Sequence, residues 1–402
     1  MASPSHVVIA GAGPVGVVAA LACVQRGFKV TLLEAAGVID ESPRAATTHP
    51  STLEFIAQVG LIDEFIAAGL SARYFQFWDR DSNTRVAQFD HELLKDEARF
   101  PFVVQTEQHK LARMGIEKLK RYPDAVMHFN ARVTGLTQTG TEVRVTVEQE
   151  GERRTITADY LIGADGGRST VRKLLDIAFE GYTFPERFTV LTTLHDFEKS
   201  GYCFRNYLAG TEAWANLFKV AGDDMKGRWR AVFPTREDES DEQALADDAV
   251  RARLTGIDPR CTLDDVVHRN IYSVHQRVAA KFRSGRVFLA GDSSHLNNPI
   301  GGLGLNCGIH DAIELAETLE AARAGAGEDR LARYERRRRT LNVEFIQEQT
   351  VNNKKRLEEK DPAARVRHLD DLRAIEADPV RQKQFLMRSS LIASVRRAQT
   401  ID

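Results

Sequence analysis

Three glycines spaced as Gly11, Gly13 and Gly16, with Glu34 eighteen positions beyond the last, have the types and spacing that most directly imply chemistry. A G-x-G-x-x-G turn lays backbone N–H groups against a pyrophosphate, and an acid about 20 residues on accepts hydrogen bonds from a ribose diol. Gly11 allows the tight turn, Gly13 the approach of backbone to phosphate, and Gly16 the close packing of helix on strand. Alone, this pattern indicates a dinucleotide and leaves NAD and FAD open. Two later acids, Asp165 in "YLIGADGG" and Asp292 in "RVFLAGD", each close an apolar run at a glycine. There a carboxylate can hold a sugar or ribityl hydroxyl; the plainer reading of Asp165 is the start of a turn. The loop "PIGGLGLNCG", Pro299 to Gly308, can turn main-chain N–H groups toward a flat ring carbonyl and a pyrophosphate.

These residues need elements to position them. "HVVIA" reads as a strand buried on both faces, "VVAALACVQRGF" as a helix ending near Gly27, and "KVTLLE" as a second strand. That βαβ order predicts an α/β fold with a Rossmann-like domain. A meander of alternating strands leads to Tyr160, a helix is expected from about Ser169, and a long helix carrying Asp311 and Glu314 follows the late glycine loop. Between about Phe179 and Asn270, aromatic and β-branched runs predict an antiparallel sheet. "YFQFW", Tyr74 to Trp78, is expected to join it, chiefly as core.

Composition narrows the classes. The 402 residues are 43% hydrophobic and 28% charged with net charge −2, so bulk electrostatics give a nucleic-acid partner no support. Eleven histidines form no HxxxH or HExxH cluster and the four cysteines are scattered, so neither a metal site nor a disulfide framework is expected. The uncharged run Val7–Val24 is broken early by glycine and proline, short of the roughly 20 uninterrupted residues of a membrane span. No Lys or Arg precedes it, as a signal peptide would require. A cytoplasmic enzyme without a membrane partner is the expectation.

In order and spacing, the three motifs resemble those of the class A flavoprotein aromatic hydroxylases, the para-hydroxybenzoate hydroxylase type. The resemblance covers most of the chain and implies the GR2 Rossmann-like FAD-binding domain, a β-sheet-rich substrate domain and C-terminal helices. It assigns residues 1–72, 104–178 and 271–350 to the FAD domain, 73–103 and 179–270 to the substrate sheet, and 351–402 to a helical tail. It implies FAD ligands at Gly11, Gly13, Pro14, Val15, Gly16, Glu34, Ala35, Val133, Asp165, Gly166, Asp292, Pro299, Gly302, Gly304, Leu305 and Asn306. It adds Arg44 beside the flavin, Gln105 in "VVQTEQHKL", and Arg228 in "GRWRAVFPT" as a flavin neighbour. Ser51 stands where many members carry arginine, which puts that contact in doubt. Helix capping is the plainer reading for Thr47, Thr48, Gln105 and Thr106.

The implied reaction is hydroxylation of a small activated ring, phenolic or hydroxypyridine-type and open to carboxylation, through a flavin C4a-hydroperoxide. FAD is the cofactor, NADH or NADPH the transient co-substrate, and the aromatic substrate and O2 the partners. Arg230 is the implied substrate reader, with a strand-edge arginine as its plainer reading; Tyr207, His195 and Arg205 are weaker candidates. His295 is a candidate proton relay, equally readable as a structural hydrogen bond, and Pro299 should face the ring system. The alternative is the same fold running another reaction, a halogenase or a prenyl-chain reductase. A halogenase would carry W-x-W-x-I-P, which Trp78, Trp214 and Trp229 do not form. The run Arg336–Arg339 reads as a solvated helix face, and the amphipathic tail as a cover for the flavin domain or a homodimer interface.

Overall fold

The computed structural model describes residues 5–42 and 46–402. The opening apolar run is a strand, His6–Ala10, and a helix, Pro14–Gln25, whose residues Gly16 to Val24 are all buried. Nothing charged occurs there because every side is covered: by the sheet on one side and by helices Gly304–Arg323 and Gln108–Leu119 on others. The sheet runs in the order 283–284, 287–289, 160–163, 6–10, 29–33, 125–128 and is parallel except at its first edge strand. The meander 131–138, 143–149, 152–158 forms a separate antiparallel sheet.

An eight-stranded sheet carries the second half of the site, in the order 295–296, 266–279, 179–193, 228–234, 215–220, 205–209, 74–79, 84–90. It departs from the expected antiparallel sheet at one place: Arg205–Ala209 pairs parallel with Tyr74–Asp79. The chain makes that pairing only after crossing the flavin-binding half, so no hairpin constrains its direction. Alternation sorts the two faces. Trp78, Leu208, Leu217, Trp229 and Phe233 pack under helix Asp247–Thr255, while Phe75, Phe77 and Tyr207 face the other way.

That other face is roofed by the tail. Helices Glu348–Leu357, Pro362–Ala377 and Pro379–Ser389 lay Leu357, Leu369, Leu372, Ile375 and Leu386 over it. They also occupy the edge strand: Gln88 N–H donates to Glu376 (2.8 Å) and Asp90 N–H to Gln382 (2.9 Å). An edge whose donors are taken cannot pair with another chain.

Only part of the arginine run is a solvated face: Arg336 is exposed and Arg339 half-buried, but the two between them are not solvated. Arg337 and Arg338 are 9% and 4% exposed, because helix Glu328–Leu341 packs on the helix that carries Asp311 and Glu314. Arg338 Nε donates to Asp311 at 2.6 Å, and Arg337 reaches Glu314 at 3.4 Å. Burial would raise the pKa of Asp311, but Arg338 and His295 outweigh it and leave it at about 2.

Two buried histidines make the fold acid-sensitive. Burial, then Arg338, brings His310 down to about 3; burial, then Arg205, brings His91 down to about 4. An unfolded imidazole takes up its proton near pH 6.5. Below that pH the unfolded chain binds more protons than the folded one. Stability should therefore be full above about pH 6.5 and fall toward pH 4 by about 1.4 kcal/mol per unit for each histidine. Urea unfolding between these pH values measures it; His310→Gln should flatten the slope by about one proton, and a level wild-type profile would refute the assignment.

Candidate active site

The strand His6–Ala10 ends at Gly11, whose φ is +101° and whose added Cβ would lie 2.3 Å from the carbonyl oxygen of Ala164. A Cβ on Gly16 would lie 1.9 Å from the oxygen of Gly11. Only glycine fits either position. Gly13 is different: a Cβ there meets nothing within 4 Å, so open space lies in front of it. Gly13 is also the cap of helix Pro14–Gln25, with no side chain bonded to the helix N-terminus. Pro14 has no N–H to lose, and the next amides of the first turn are available to an anion.

Glu34 sits at the end of the second strand, half-buried. Its Oε2 accepts the Ala12 N–H at 2.8 Å and its Oε1 the Ala36 N–H at 2.9 Å. Both bonds fix the carboxylate beside the turn, and each oxygen keeps a lone pair for a diol. Half-buried Ala35 follows it, and strand Ala131–Gln138, with Val133 6% exposed, starts from a bond to the Glu34 carbonyl.

The three motifs converge in space. Val15 nests between Gly291 and Gly308, its Cγ2 3.0 and 2.6 Å from where their Cβ atoms would stand. Arg172, expected to supply charge, instead staples the second motif to the third through the carbonyls of Gly167 (3.0 Å) and Ser293 (2.9 Å). Asp292 is exposed on the turn Gly291–Ser293. Asp165 accepts from Ser169 Oγ (2.5 Å) and from the N–H groups of Thr170 (2.7 Å) and Val171 (3.1 Å). Its carboxylate thus anchors helix Thr170–Leu174, beside Gly166 at φ +77°.

Gln105 is fully buried. Its Oε1 accepts from Thr47 Oγ1 at 2.8 Å and its Nε2 donor has no partner. Helix Gly304–Arg323 starts without a side-chain cap, with Leu305 half-buried in its first turn. Asn306 organises the loop before it, accepting the His49 N–H (2.8 Å) and donating to the carbonyls of Thr47 (2.8 Å) and Gly302 (2.6 Å). Two uncapped helix N-termini, a fixed ribose acid and an orphaned buried amide donor fit FAD. Arg44, expected beside the flavin, lies outside the described residues.

A cavity of about 220 Å³ opens between the eight-stranded sheet, the loop at Ile300–Gly301 and the tail helices. It exceeds the ~150 Å³ that accepts one benzene ring. The sheet contributes Phe75, Phe77, Arg205 and Tyr207; the tail contributes Asn352, Asn353, Arg356 and Phe385 among others. Tyr207 stacks on Phe77 with centroids 5.2 Å apart. Arg205, 5% exposed, lies over the rings of Phe75 and Tyr207, and its Nη2 donates to Tyr207 Oη (2.7 Å) and the Gly301 carbonyl (3.1 Å). Its Nη1 is buried and has no partner. His49 Nε2 donates to the same carbonyl at 2.9 Å. Burial and the Arg205 charge hold His49 well below the ordinary imidazole range, so it is neutral.

The other expected residues lie elsewhere. Arg230 is on the same sheet face as Arg205, one strand beyond the intervening Phe218, but it does not line the cavity; its charge faces Glu107 and Tyr272. Arg228 pairs with Asp224 at 3.0 Å. His195 bonds Asp258 at 3.0 Å in a cluster with Arg260. His295 is 1% exposed, its Nε2 on Asp311 at 2.8 Å. Pro299 is exposed and closes the turn with Gly302, whose N–H it accepts at 3.0 Å. Sequence reasoning missed His49 and the tail residues. The one available signal was Asn352-Asn353, two poor helix formers inside a charged helix.

Comparison with known proteins agrees with this geometry. The family described as FAD binding domain matches residues 5–349, and the chain belongs to it, among the class A flavin-dependent aromatic hydroxylases. It is a single-component FAD-dependent monooxygenase that uses NAD(P)H and O2 to hydroxylate an activated aromatic ring. The para-nitrophenol 4-monooxygenase of Pseudomonas sp. (strain WBC-3) is 33% identical over 95% of this chain and 94% of its own. The 6-hydroxy-3-succinoylpyridine 3-monooxygenase HspB of Pseudomonas putida (strain DSM 28022 / S16) is 31% identical over 90% and 91%. The crystal structure of p-nitrophenol 4-monooxygenase PnpA from Pseudomonas putida DLL-E4 superposes with TM-score 0.90 at 30% identity, over 96% of this chain and 98% of that one.

Glu34→Ala should weaken FAD binding by about 10–100-fold, the range for a hydrogen bond to a charged group. Flavin retained on purification and fluorescence titration of the apoprotein measure this; unchanged affinity would remove Glu34 from the cofactor site.

Proposed function

We propose that the ring hydroxylated by this enzyme is a small anionic phenol or hydroxypyridine, bound in the cavity between the sheet and the tail helices. The single observation that carries the reading is Arg205, a buried cation that lines an aromatic-walled space and keeps an Nη1 donor without a partner. An arginine in that position favours the oxyanion of a phenolate over the neutral phenol. Ionisation raises the electron density of the ring, which oxygen transfer needs. Tyr207 strengthens the preference: its oxygen accepts from Arg205, which leaves its own proton for the substrate oxygen. Phe75, Phe77 and Phe385 would grip the ring, and the apolar packing around them excludes water. The glycine turn, Glu34 and the Pro299–Asn306 loop would hold FAD, which would supply the redox chemistry that links NAD(P)H oxidation to insertion of one oxygen atom of O2 into the ring, the other being released as water.

The same reading gives the cofactor to Gly11 through Gly16, Glu34, Gln105 and the Pro299–Asn306 loop, with Asp165 and Asp292 as further ligands. It divides the chain as the resemblance implies, with the substrate sheet continuing to Ala279. Relatives acting on para-nitrophenol and a hydroxypyridine support the ring class. Four free cysteines and a near-neutral charge support a reducing cytoplasm and small-molecule partners rather than nucleic acid.

Arg205→Gln should lower kcat/KM for a phenol by about 10–100-fold, with the loss largest where the wild-type substrate is ionised. Substrate-accelerated NAD(P)H oxidation measures it. Equal rates in the variant would refute the anionic-ring reading.

A further inference from the structure

The charge pattern of the cavity goes beyond what holding one phenolate requires. Arg205 enters from the sheet, Arg356 and Arg388 enter from the tail helices, and among the described residues no Asp or Glu lines the space. Arg205 is 5% exposed with an unpartnered Nη1. Arg356 is half-buried, and burial lowers its pKa. The acid acting on it is Asp371, which is exposed and already bonded to Arg381 at 2.9 Å. Arg388 rests over the Phe345 ring at 5.8 Å and is exposed at the rim. Charges withdrawn from water without counter-charges cost stability. An anion spanning the cavity offsets that cost at both walls.

One phenolic oxygen on Arg205 leaves the cations of the opposite lining unanswered. We infer that the substrate ring bears a second substituent whose oxygens carry full or partial negative charge, and that Arg356 is the residue that selects for it. The chemistry is a planar two-oxygen group, carboxylate or nitro, which matches the fork of a guanidinium in a way a compact cation would not. The helix is well placed to do this. Asn353 Nδ2 donates to the Ile300 carbonyl at 3.3 Å, fastening the helix to the flavin-side loop. Arg356 lies three residues on, along the same helix face. The tail thus contributes specificity as well as cover.

This inference rests on the ring-hydroxylation reading, and the test separates the two. Wild-type holoenzyme, Arg356→Met and Arg356→Lys are titrated with 4-nitrophenol, 4-hydroxybenzoate, 4-hydroxybenzamide and 4-cresol. Perturbation of the flavin spectrum gives Kd, and NAD(P)H oxidation gives KM and kcat. Wild type should bind the better of the nitro and carboxylate ligands at least about tenfold more tightly than the amide or cresol. Whichever of the two leads identifies the substituent. Arg356→Met should erase the preference while leaving cresol affinity within about twofold, and Arg356→Lys should keep part of it. Equal wild-type affinities, or an intact preference in Arg356→Met, would overturn the role of Arg356. If no phenol perturbs the flavin or accelerates oxidation, the ring-hydroxylation reading itself fails.

Discussion

The rest of the site depends on the carbonyl oxygen of Gly301, which accepts from His49 Nε2 at 2.9 Å and from Arg205 Nη2 at 3.1 Å. A carbonyl has two lone pairs, and both are used. His49 precedes helix Pro50–Gln58, and its own N–H is held by Asn306 at the start of the helix Gly304–Arg323. Arg205 belongs to the eight-stranded sheet. One oxygen therefore ties the cofactor loop, the early part of the chain and the substrate wall together. Arg205 cannot move without pulling on that loop, so the proposed substrate anchor and the expected ring of the cofactor keep a fixed relation. Fixed relations of this kind are where positioning contributes most to rate.

Electrostatics follow from the same burial. Burial first, and the nearby Arg205 charge second, depress His49 and His91, and both are neutral as a result. Arg205 then stands as a full positive charge with aromatic faces on two sides. Away from bulk solvent such a charge acts strongly on an oxyanion. The buried Arg338–Asp311 pair is the contrast: there a buried cation meets a carboxylate of the protein itself.

The βαβ fingerprint was legible because its causes are local. A Cβ added at Gly11 or Gly16 would lie under 2.5 Å from a neighbouring backbone oxygen, so each position admits only glycine. The strand runs of the second sheet were equally plain, since alternation of apolar residues leaves little choice. What failed to read was the partner of each polar side chain. Asp165 is taken up by a helix N-terminus, His295 by Asp311 and His195 by Asp258, and each of these bonds depends on how distant segments meet. The tail was harder still. Its helical period says that one face is buried but not that the face closes over Phe75 and Phe89, where Phe385 stacks at 4.7 Å from the latter. Likewise, the arginine run looked solvated only because its acids, Asp311 and Glu314, come from another helix.

In the proposed reaction, oxygen is transferred to a ring anchored on Arg205. Purified holoenzyme supplied with NAD(P)H, an ionised phenol and isotopically labelled dioxygen tests it most directly, by mass spectrometry of the product. One labelled oxygen should appear in the hydroxylated ring for each NAD(P)H consumed. NAD(P)H consumption that yields only peroxide, or a product whose new oxygen comes from water, would contradict it.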